Sequence, residues 1–451
     1  MNQSVAPMQQ FLAQIISRRY CLSAVSLFAL QSVVALMGAL DLVISDLPSP
    51  IPFEYGRAIH LGLADFWPLI GTMGMVYFFI TAELNREIYS PSLARRQYWV
   101  VMLFTLSIFG TLALRIGNGR EFLEGKPIFY LGICLALVLA SYNLVRTLLT
   151  DKRNITPAAA TMTVGVIFLL LLLLPNTITF SNPIIDEATK FWVVHLWEEM
   201  AFELTSVGFI ATFFVVSGLA NRTQIEKWLY LEASLAIVGG LYGTGHHYYW
   251  IGFPAIWLIL GSLVSLVEVI PVGMLVHMTY KGLKSKKIRS RREMLTLWLL
   301  LSSVFYHITG ASLLGLFITI PWVNLYMHGT YFTSGHAHLA LFGSLGFVVL
   351  AGCYYVLSQG SEPTLKEYKG GVLAVIILNI GLIIMSSALL AAGIKETYLW
   401  RILGMDFMDV HLLLNPYLIL RVLGGTMFAL GDLLLSWYIF KAWRGTKSNK
   451  M

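Results

Sequence analysis

Apolar runs of some twenty residues recur from Tyr20 almost to the C-terminal tail, and this repetition narrows the possible folds more than any other feature of the chain. About 20 apolar residues make one crossing of a bilayer core, and backbone inside lipid must satisfy its own N–H and C=O groups, which a helix does. With 57% hydrophobic and only 12% charged residues, the composition belongs to polytopic membrane proteins rather than soluble enzymes. Twelve spans are predicted, roughly at 20 to 45, 58 to 82, 98 to 116, 127 to 149, 157 to 174, 189 to 219, 226 to 244, 253 to 280, 294 to 317, 330 to 357, 370 to 393 and 414 to 442. The expected fold class is an all-α polytopic membrane protein, a twelve-helix bundle forming one integral domain over residues 1–451. The fifth span, with its leucine run after Ile167, has almost nothing polar and is expected to face lipid.

Lys and Arg distribute unevenly between the two sets of loops. Arg86, Arg95, Arg96, Arg146, Lys152, Arg153, Arg222, Lys227 and the cluster from Lys281 to Arg292 share one side with the basic C-terminal tail. The positive-inside rule puts that side, and both termini, in the cytoplasm. The cluster near 281 reads as an orientation signal beside anionic lipid, not as a nucleic-acid site. The opposite loops (Leu47 to Glu54, Asn118 to Lys126, Asn176 to Asp186, Lys395 to Asp409) carry Pro, Trp, Tyr and acids, and are expected to fold into a cap able to seat a partner. The first apolar run, after Arg18 and Arg19, lacks a small-residue cleavage site and reads as an ordinary first span. Cys21, Cys134 and Cys353 are scattered singly, which suggests neither a disulfide framework nor a zinc knuckle, and no CxxCH marks a c-type haem.

Within the sixth span, FWVVHLWEEMAFE places His195, Glu198, Glu199 and Glu203 in an apolar run. On a straight α-helix His195 and Glu199 share a face, about 40° and ~6 Å apart, and Glu203 continues that face one turn on. Carboxylates are costly in lipid, so three with an imidazole on one helix read as a site.

Six of the ten histidines fall near span ends on the inferred outer side. His246 and His247, in YGTGHHYYW, are adjacent; they reach one metal most easily if the helix ends there, and Gly245 makes such an ending plausible. His336 and His338, in SGHAHLALFG, are two residues apart and so leave opposite faces, about 200° around the helix. Each can hold its own macrocycle, with His60 available as the opposite axial ligand of one of them. Two axial imidazoles close a haem for electron transfer, whereas one leaves a position open to a gas. Gly335, Ala337, Ala340, Gly343, Gly346 and Ala351 along this span are expected to let flat rings approach the backbone.

HLWEEMAFE, GTGHHYYWIG, HGTYFTSGHAH and the isolated His60 together resemble the catalytic large subunit of bacterial cytochrome c-dependent nitric oxide reductase, a branch of the haem-copper oxidase superfamily. The resemblance covers essentially the whole chain, with all six histidines in the family's order. It implies that His60 and His338 ligate a low-spin b haem and that His336 is the proximal ligand of a high-spin b haem. It implies further that His195, His246, His247 and Glu199 hold a non-haem iron, with Glu203 behind them on the proton route and Glu268 near the active site. Glu121 and Glu124, in GREFLEG, match a pair beside the haem propionates, the first binding calcium, and Arg57 is placed to pair with a propionate. One position departs from the family: Glu198 stands where an apolar residue is usual.

A carboxylate among three imidazoles suits iron better than copper, because it is the harder ligand. Acids such as Glu203 and Glu268 are expected to donate the protons that become water. The expected reaction is 2 NO + 2 electrons + 2 protons giving N2O and water, fed by a membrane-anchored c-type cytochrome in a bacterial inner membrane. Three alternatives stand beside it. A terminal oxygen reductase of the same superfamily often carries a tyrosine where this chain has Glu199. An NO dismutase usually belongs to a longer branch with a fused N-terminal domain. A secondary transporter would use the intramembrane acids as proton relays.

Overall fold

The computed structural model describes residues 11–44, 51–267, 280, 284 and 290–448, and among them every regular element is a helix. In chain order these are α1 (Leu12–Val43), α2 (Phe53–Leu84), α3 (Pro91–Ala113), α4 (Pro127–Thr150), α5 (Pro157–Leu173), α6 (Pro183–Val194), α7 (Glu203–Val216), α8 (Arg222–Gly243) and α9 (Ile256–Val267). Further along come α10 (Arg291–Tyr306), α11 (Gly315–Thr319), α12 (Pro321–Met327), α13 (Tyr331–Ala337), α14 (Phe347–Leu357), α15 (Leu365–Glu396), α16 (Phe407–Leu413) and α17 (Asn415–Ser448). Nine helices or helix runs among the described residues are long and apolar enough to cross a membrane. The predicted third and seventh spans fall on α3 and α8, and the eighth begins with α9 and runs into residues outside those described.

Local sequence fixes where these helices start. Proline occupies the first turn of α3, α4, α5 and α6, where its missing N–H costs nothing. Ser90, Thr156 and Asn182 cap three of them by accepting backbone N–H bonds. Ser290 with Glu293, and Thr364 with Glu367, form reciprocal capping boxes at the basic starts of α10 and α15.

The bundle has two dissimilar ends. At the basic end Arg222 pairs with both oxygens of Glu83, tying the start of α8 to the end of α2. Above this pair the core is aromatic: Phe79 packs on Phe209 (4.6 Å between centroids) and Tyr355 (5.6 Å), and Phe213 packs on Tyr355 (5.2 Å). At the opposite end two of the expected cap loops are joined by Arg120, whose guanidinium donates to the carbonyls of Asn176 and Asp186 and pairs with the Asp186 carboxylate at 3.2 Å.

Large apolar side chains such as Leu103, Leu131, Leu263 and Leu423 cover the outside, as lipid requires. The leucine-rich α5 departs from expectation. It buries Val166, Leu169, Leu172 and Leu173 and turns only part of its surface, including Leu171, outward. Its close approach to α7 at Gly165 and Thr205 draws it into the bundle.

Candidate redox and metal site

The helical path through the sixth span is not straight. The backbone breaks at His195 (φ −126°, ψ −54°), whose carbonyl accepts from the N–H of both Glu198 and Glu199. Residues Trp197–Phe202 then form a π-helical turn before α7 resumes. Trp197, fully buried, donates its indole N–H to the Leu169 carbonyl on α5 and anchors this irregular turn. Such turns place side chains where a regular helix cannot, and they concentrate at functional sites.

α8 stops at Gly243, and the chain tightens into a 3-10 turn over Thr244–Tyr248 that presents His246 and His247. The chain end at the histidines thus occurs as expected, but Gly245 serves it by letting α9 pack close at Trp257 and Gly261. Buried Asn324 on α12 holds the turn in place: its amide N–H reaches the His246 carbonyl at 3.4 Å, and its side-chain oxygen accepts from Trp250.

These two irregular segments bring three imidazoles together. The His195 ring lies 4.7 Å from that of His246 and 4.3 Å from that of His247, and their candidate ligand atoms all fall within 4.8 Å of one another. Glu199 Oε2 lies 2.8 Å from His195 Nε2, and neither atom has any other partner; His247 Nδ1 has no hydrogen bond. Buried donors and acceptors are nearly always paired, so atoms converging unpaired are what a metal would satisfy. His246 Nδ1 contacts Ser265 Oγ at 3.3 Å, the outer contact that steers a ligating imidazole. Three imidazoles and a carboxylate make a donor set that fits iron.

The expected opposition of His336 and His338 is present. Ring nitrogen Nδ1 of His336 lies 3.0 Å from the Gly310 carbonyl, in a second π-helical segment, His307–Leu314. His338 Nδ1 lies 2.7 Å from the Ser334 carbonyl and begins a third, His338–Gly346. With Nδ1 as the donor in each, Nε2 is left free to bind a metal. Across from His338 stands His60 on α2, with ring centroids 6.0 Å apart and planes within 22°. That separation exceeds the ~3.5–4 Å of direct atomic contact, and fits two axial ligands better than a stacked pair. Gln31 reaches His60 at its carbonyl (3.2 Å) and Nδ1 (3.4 Å).

Several expectations need correction. Glu203 does not simply continue the His195 and Glu199 face. A π turn lies between them, and Glu203 stands within the fields of both Glu232 of α8 and Glu199. The small residues of the tenth span serve helix packing rather than ring approach: a Cβ on Gly335 would meet Leu390 at 2.9 Å, and one on Gly343 would meet Tyr306 at 2.6 Å. Arg57 is paired with Glu121, whose other oxygen faces Lys190 at 3.7 Å. His328 packs beside His247, with centroids 5.8 Å apart, and so borders the metal pocket. His307 Nδ1 contacts Ser344 Oγ at 2.7 Å, and its ring lies within the field of Glu199. Glu268 and His277 lie outside the described residues.

Sequence reasoning passed over several charged groups inside the bundle. Asp65 on α2 is 3% exposed, with Oδ2 unpartnered, and stands between Glu124 and Glu198. Glu198, likewise without a hydrogen bond on either oxygen, stands within the fields of Asp65 and Glu199. Arg421 of α17 lies near both His60 and His338. Glu232 occupies the middle of α8. Each is a charged side chain within an apolar stretch of its span, the signal that could have found it.

Comparison with known proteins agrees with this arrangement. The family model for cytochrome c and quinol oxidase polypeptide I matches residues 15–427. The B subunit of nitric oxide reductase from Stutzerimonas stutzeri is 30% identical, over 95% of this chain and 94% of its own. A cbb3-type cytochrome c oxidase subunit CcoN1 from the same organism is 23% identical over 83% and 81%. A cytochrome c oxidase subunit 1 homolog of Agrobacterium tumefaciens (strain T37) is 22% identical over 90% and 79%. Among solved structures, a heme-copper terminal oxidase dimer superposes with a TM-score of 0.75 at 13% identity, covering 96% of this chain and 84% of the other. Paired histidines facing one another across a multi-pass bundle, and a family match over nearly its whole length, make this chain a member of the cytochrome c and quinol oxidase polypeptide I family and an oxidoreductase of the haem-copper oxidase superfamily.

Proposed function

We propose that the chain is the catalytic subunit of a nitric oxide reductase, taking 2 NO, two electrons and two protons to N2O and water. The observation that carries this reading is Glu199 Oε2 at 2.8 Å from His195 Nε2, a carboxylate set into the three-histidine cluster with no partner outside it. That donor set favours a non-haem iron, and it is supported by the likeness to the nitric oxide reductase B subunit over almost the full length of both chains. On this reading His336 holds a high-spin b haem, and His60 and His338 hold a low-spin b haem. His195, His246, His247 and Glu199 hold the iron.

When bound, the haems and the non-haem iron would supply the electrons for NO reduction. The chain's own residues position and protonate. Gly310 and Ser334 fix the rings of His336 and His338 through Nδ1, and Ser265 does so for His246. Glu203, one helical turn inward of the ligands, can pass a proton toward the pocket, as can Glu198 on the other side. Glu268 is assigned to the same proton supply by resemblance alone. Calcium has no place in this reading. Arg57 and Lys190 already bring two positive charges to Glu121, where a divalent cation would be repelled. As electron donor we propose a membrane-anchored c-type cytochrome at the cap, in the inner membrane of a denitrifying bacterium.

A terminal oxidase is the second reading, favoured by the oxidase subunits among the relatives. Metal and haem analysis of the purified complex separates the two. Two b haems and one further iron in this chain, with NO consumed and N2O formed, is the expected result. Copper at the histidine cluster with oxygen as the preferred substrate would replace the proposal with the oxidase reading.

A further inference from the structure

Three of the proposed ligand histidines rest Nδ1 on a simple partner: His336 on the Gly310 carbonyl, His338 on the Ser334 carbonyl and His246 on the Ser265 hydroxyl. His60 differs. Its Nδ1 faces a side-chain amide from another helix, Gln31 Nε2 of α1, at 3.4 Å, and the same Nε2 donates to the His60 carbonyl at 3.2 Å. Gln31 is 7% exposed, and among the described residues its Oε1 accepts no hydrogen bond. Buried polar atoms are nearly always paired, so an idle acceptor beside an imidazole calls for a reason.

The surroundings hold Gln31 in place. α1 and α2 approach closely where Gly38 meets Gly56, since a Cβ on Gly56 would lie 3.5 Å from the Gly38 Cα. About two turns along α1 from that crossing, and about one along α2, Gln31 and His60 come together. On the same face of α1, Phe28 packs on Trp67 of α2 (4.7 Å between centroids) and stacks on Phe342 (5.1 Å) of the π segment that begins at His338. The residue after Gln31, Ser32, donates to Asp432 Oδ2 of α17 at 2.6 Å, and Ser436 donates to the other oxygen of this fully buried acid at 3.1 Å. Rotation or sliding of α1 would break these contacts, so the amide stays beside the ring.

A neutral imidazole that binds a metal through Nε2 keeps its proton on Nδ1. That proton needs an acceptor, and Gln31 offers one in Oε1, on the same carboxamide whose Nε2 already holds the His60 carbonyl. The last torsion of a glutamine turns easily, so the amide can present both atoms to His60 at once. We infer that Gln31 is the positioning residue of His60, its Oε1 accepting from Nδ1–H and its Nε2 donating to the carbonyl, and that it thereby sets the ring plane and the electron affinity of the low-spin haem. An acceptor on Nδ1 makes an imidazole the stronger electron donor through Nε2, which favours the oxidised iron. The inference rests on the assignment of His60 and His338 to one haem, which the reductase and oxidase readings share.

The test is a redox titration of the purified complex, followed by haem absorbance, for Gln31→Glu and Gln31→Met. Both variants keep the length of the side chain. Q31E supplies a stronger acceptor and should lower the low-spin haem's midpoint, changing its reduced-to-oxidised ratio at fixed potential about tenfold, equivalent to 59 mV for one electron. Q31M supplies none and should move the same midpoint in the opposite direction. In each variant the electron paramagnetic resonance signal of the oxidised low-spin haem should shift, while that of the high-spin haem stays where it is in the wild type. Shifts of the same sign in both variants, as a loosened α1 would give, or an unmoved midpoint, overturn the inference. Should Q31M fail to assemble, Q31E alone decides by the sign of its shift. A wild-type complex without a bis-histidine low-spin signal would instead defeat the haem assignment.

Discussion

The two halves of the bundle obey different rules. In the histidine half the helices leave α geometry at Trp197–Phe202, His307–Leu314, His338–Gly346 and Thr397–Ile402, and a 3-10 turn carries His246 and His247. In the basic half the same chain runs as regular helix through α7, α14 and the end of α2, locked by the cluster of Phe79, Phe209, Phe213 and Tyr355. Unpaired buried atoms occur in both halves, the Tyr77 and Tyr354 hydroxyls among them in the basic one, but in the first they gather around the histidine cluster, at Glu198 and His247. Irregular backbone and unpaired polar atoms are tolerable where a well-packed neighbour holds the frame. The contrast therefore separates residues that fix the fold from residues that fix the chemistry.

The sharpest way to break this contrast is Glu199→Ala. If the histidine half is built for chemistry, NO reduction should fall on the order of a thousandfold, with loss of non-haem iron and little change in thermal unfolding. A large drop in melting temperature with iron retained would place Glu199 among the framework residues. The reverse is expected in the basic half. Phe79→Ala removes the ring shared by Phe78, Phe209 and Tyr355 and should cost about 3–5 kcal/mol of stability. Detergent unfolding would read this loss, while the haem spectrum of the surviving folded protein should be unaltered.

Smaller effects sharpen the boundary. Ser265→Ala deletes the hydroxyl at His246 Nδ1 and should weaken iron binding about 10- to 100-fold, measured by chelator competition, without touching either haem. Ser290→Ala removes half a capping box far from any metal and should cost about 1 kcal/mol, seen only as a slightly earlier unfolding transition.

How much of this could be read from the residues alone differs between the halves for the same reason. Hydropathy marks the spans because lipid imposes it, so α4 matches its apolar run almost end to end, while α1 and α2 cover theirs and start ahead of them, at Leu12 and Phe53. The six histidines were legible because imidazoles at span ends, in pairs one or two residues apart, seldom occur unless they bind something. Assuming a regular 3.6-residue turn succeeded for His195 and Glu199, which do meet, and failed for Glu203, because a π turn inserts a residue that no propensity announces. Glycines misled in a similar way. Gly335 and Gly343 looked like clearances for flat rings, yet the space is taken by Leu390 and Tyr306 of neighbouring helices, a fact that only the tertiary arrangement contains. Asp65 and Glu232 stood in plain view as single acids in apolar runs, and without neighbours in space neither had a partner to give it meaning.

His336 and His338 leave one continuous stretch of chain with a single alanine between them. Any tilt or slide of that stretch carries both rings together, so the gap an electron must jump between whatever groups they hold is set by covalent bonds rather than by how firmly separate helices pack. Thermal breathing of the bundle can then alter access of gas and water to the pocket without detuning the conductor that feeds it.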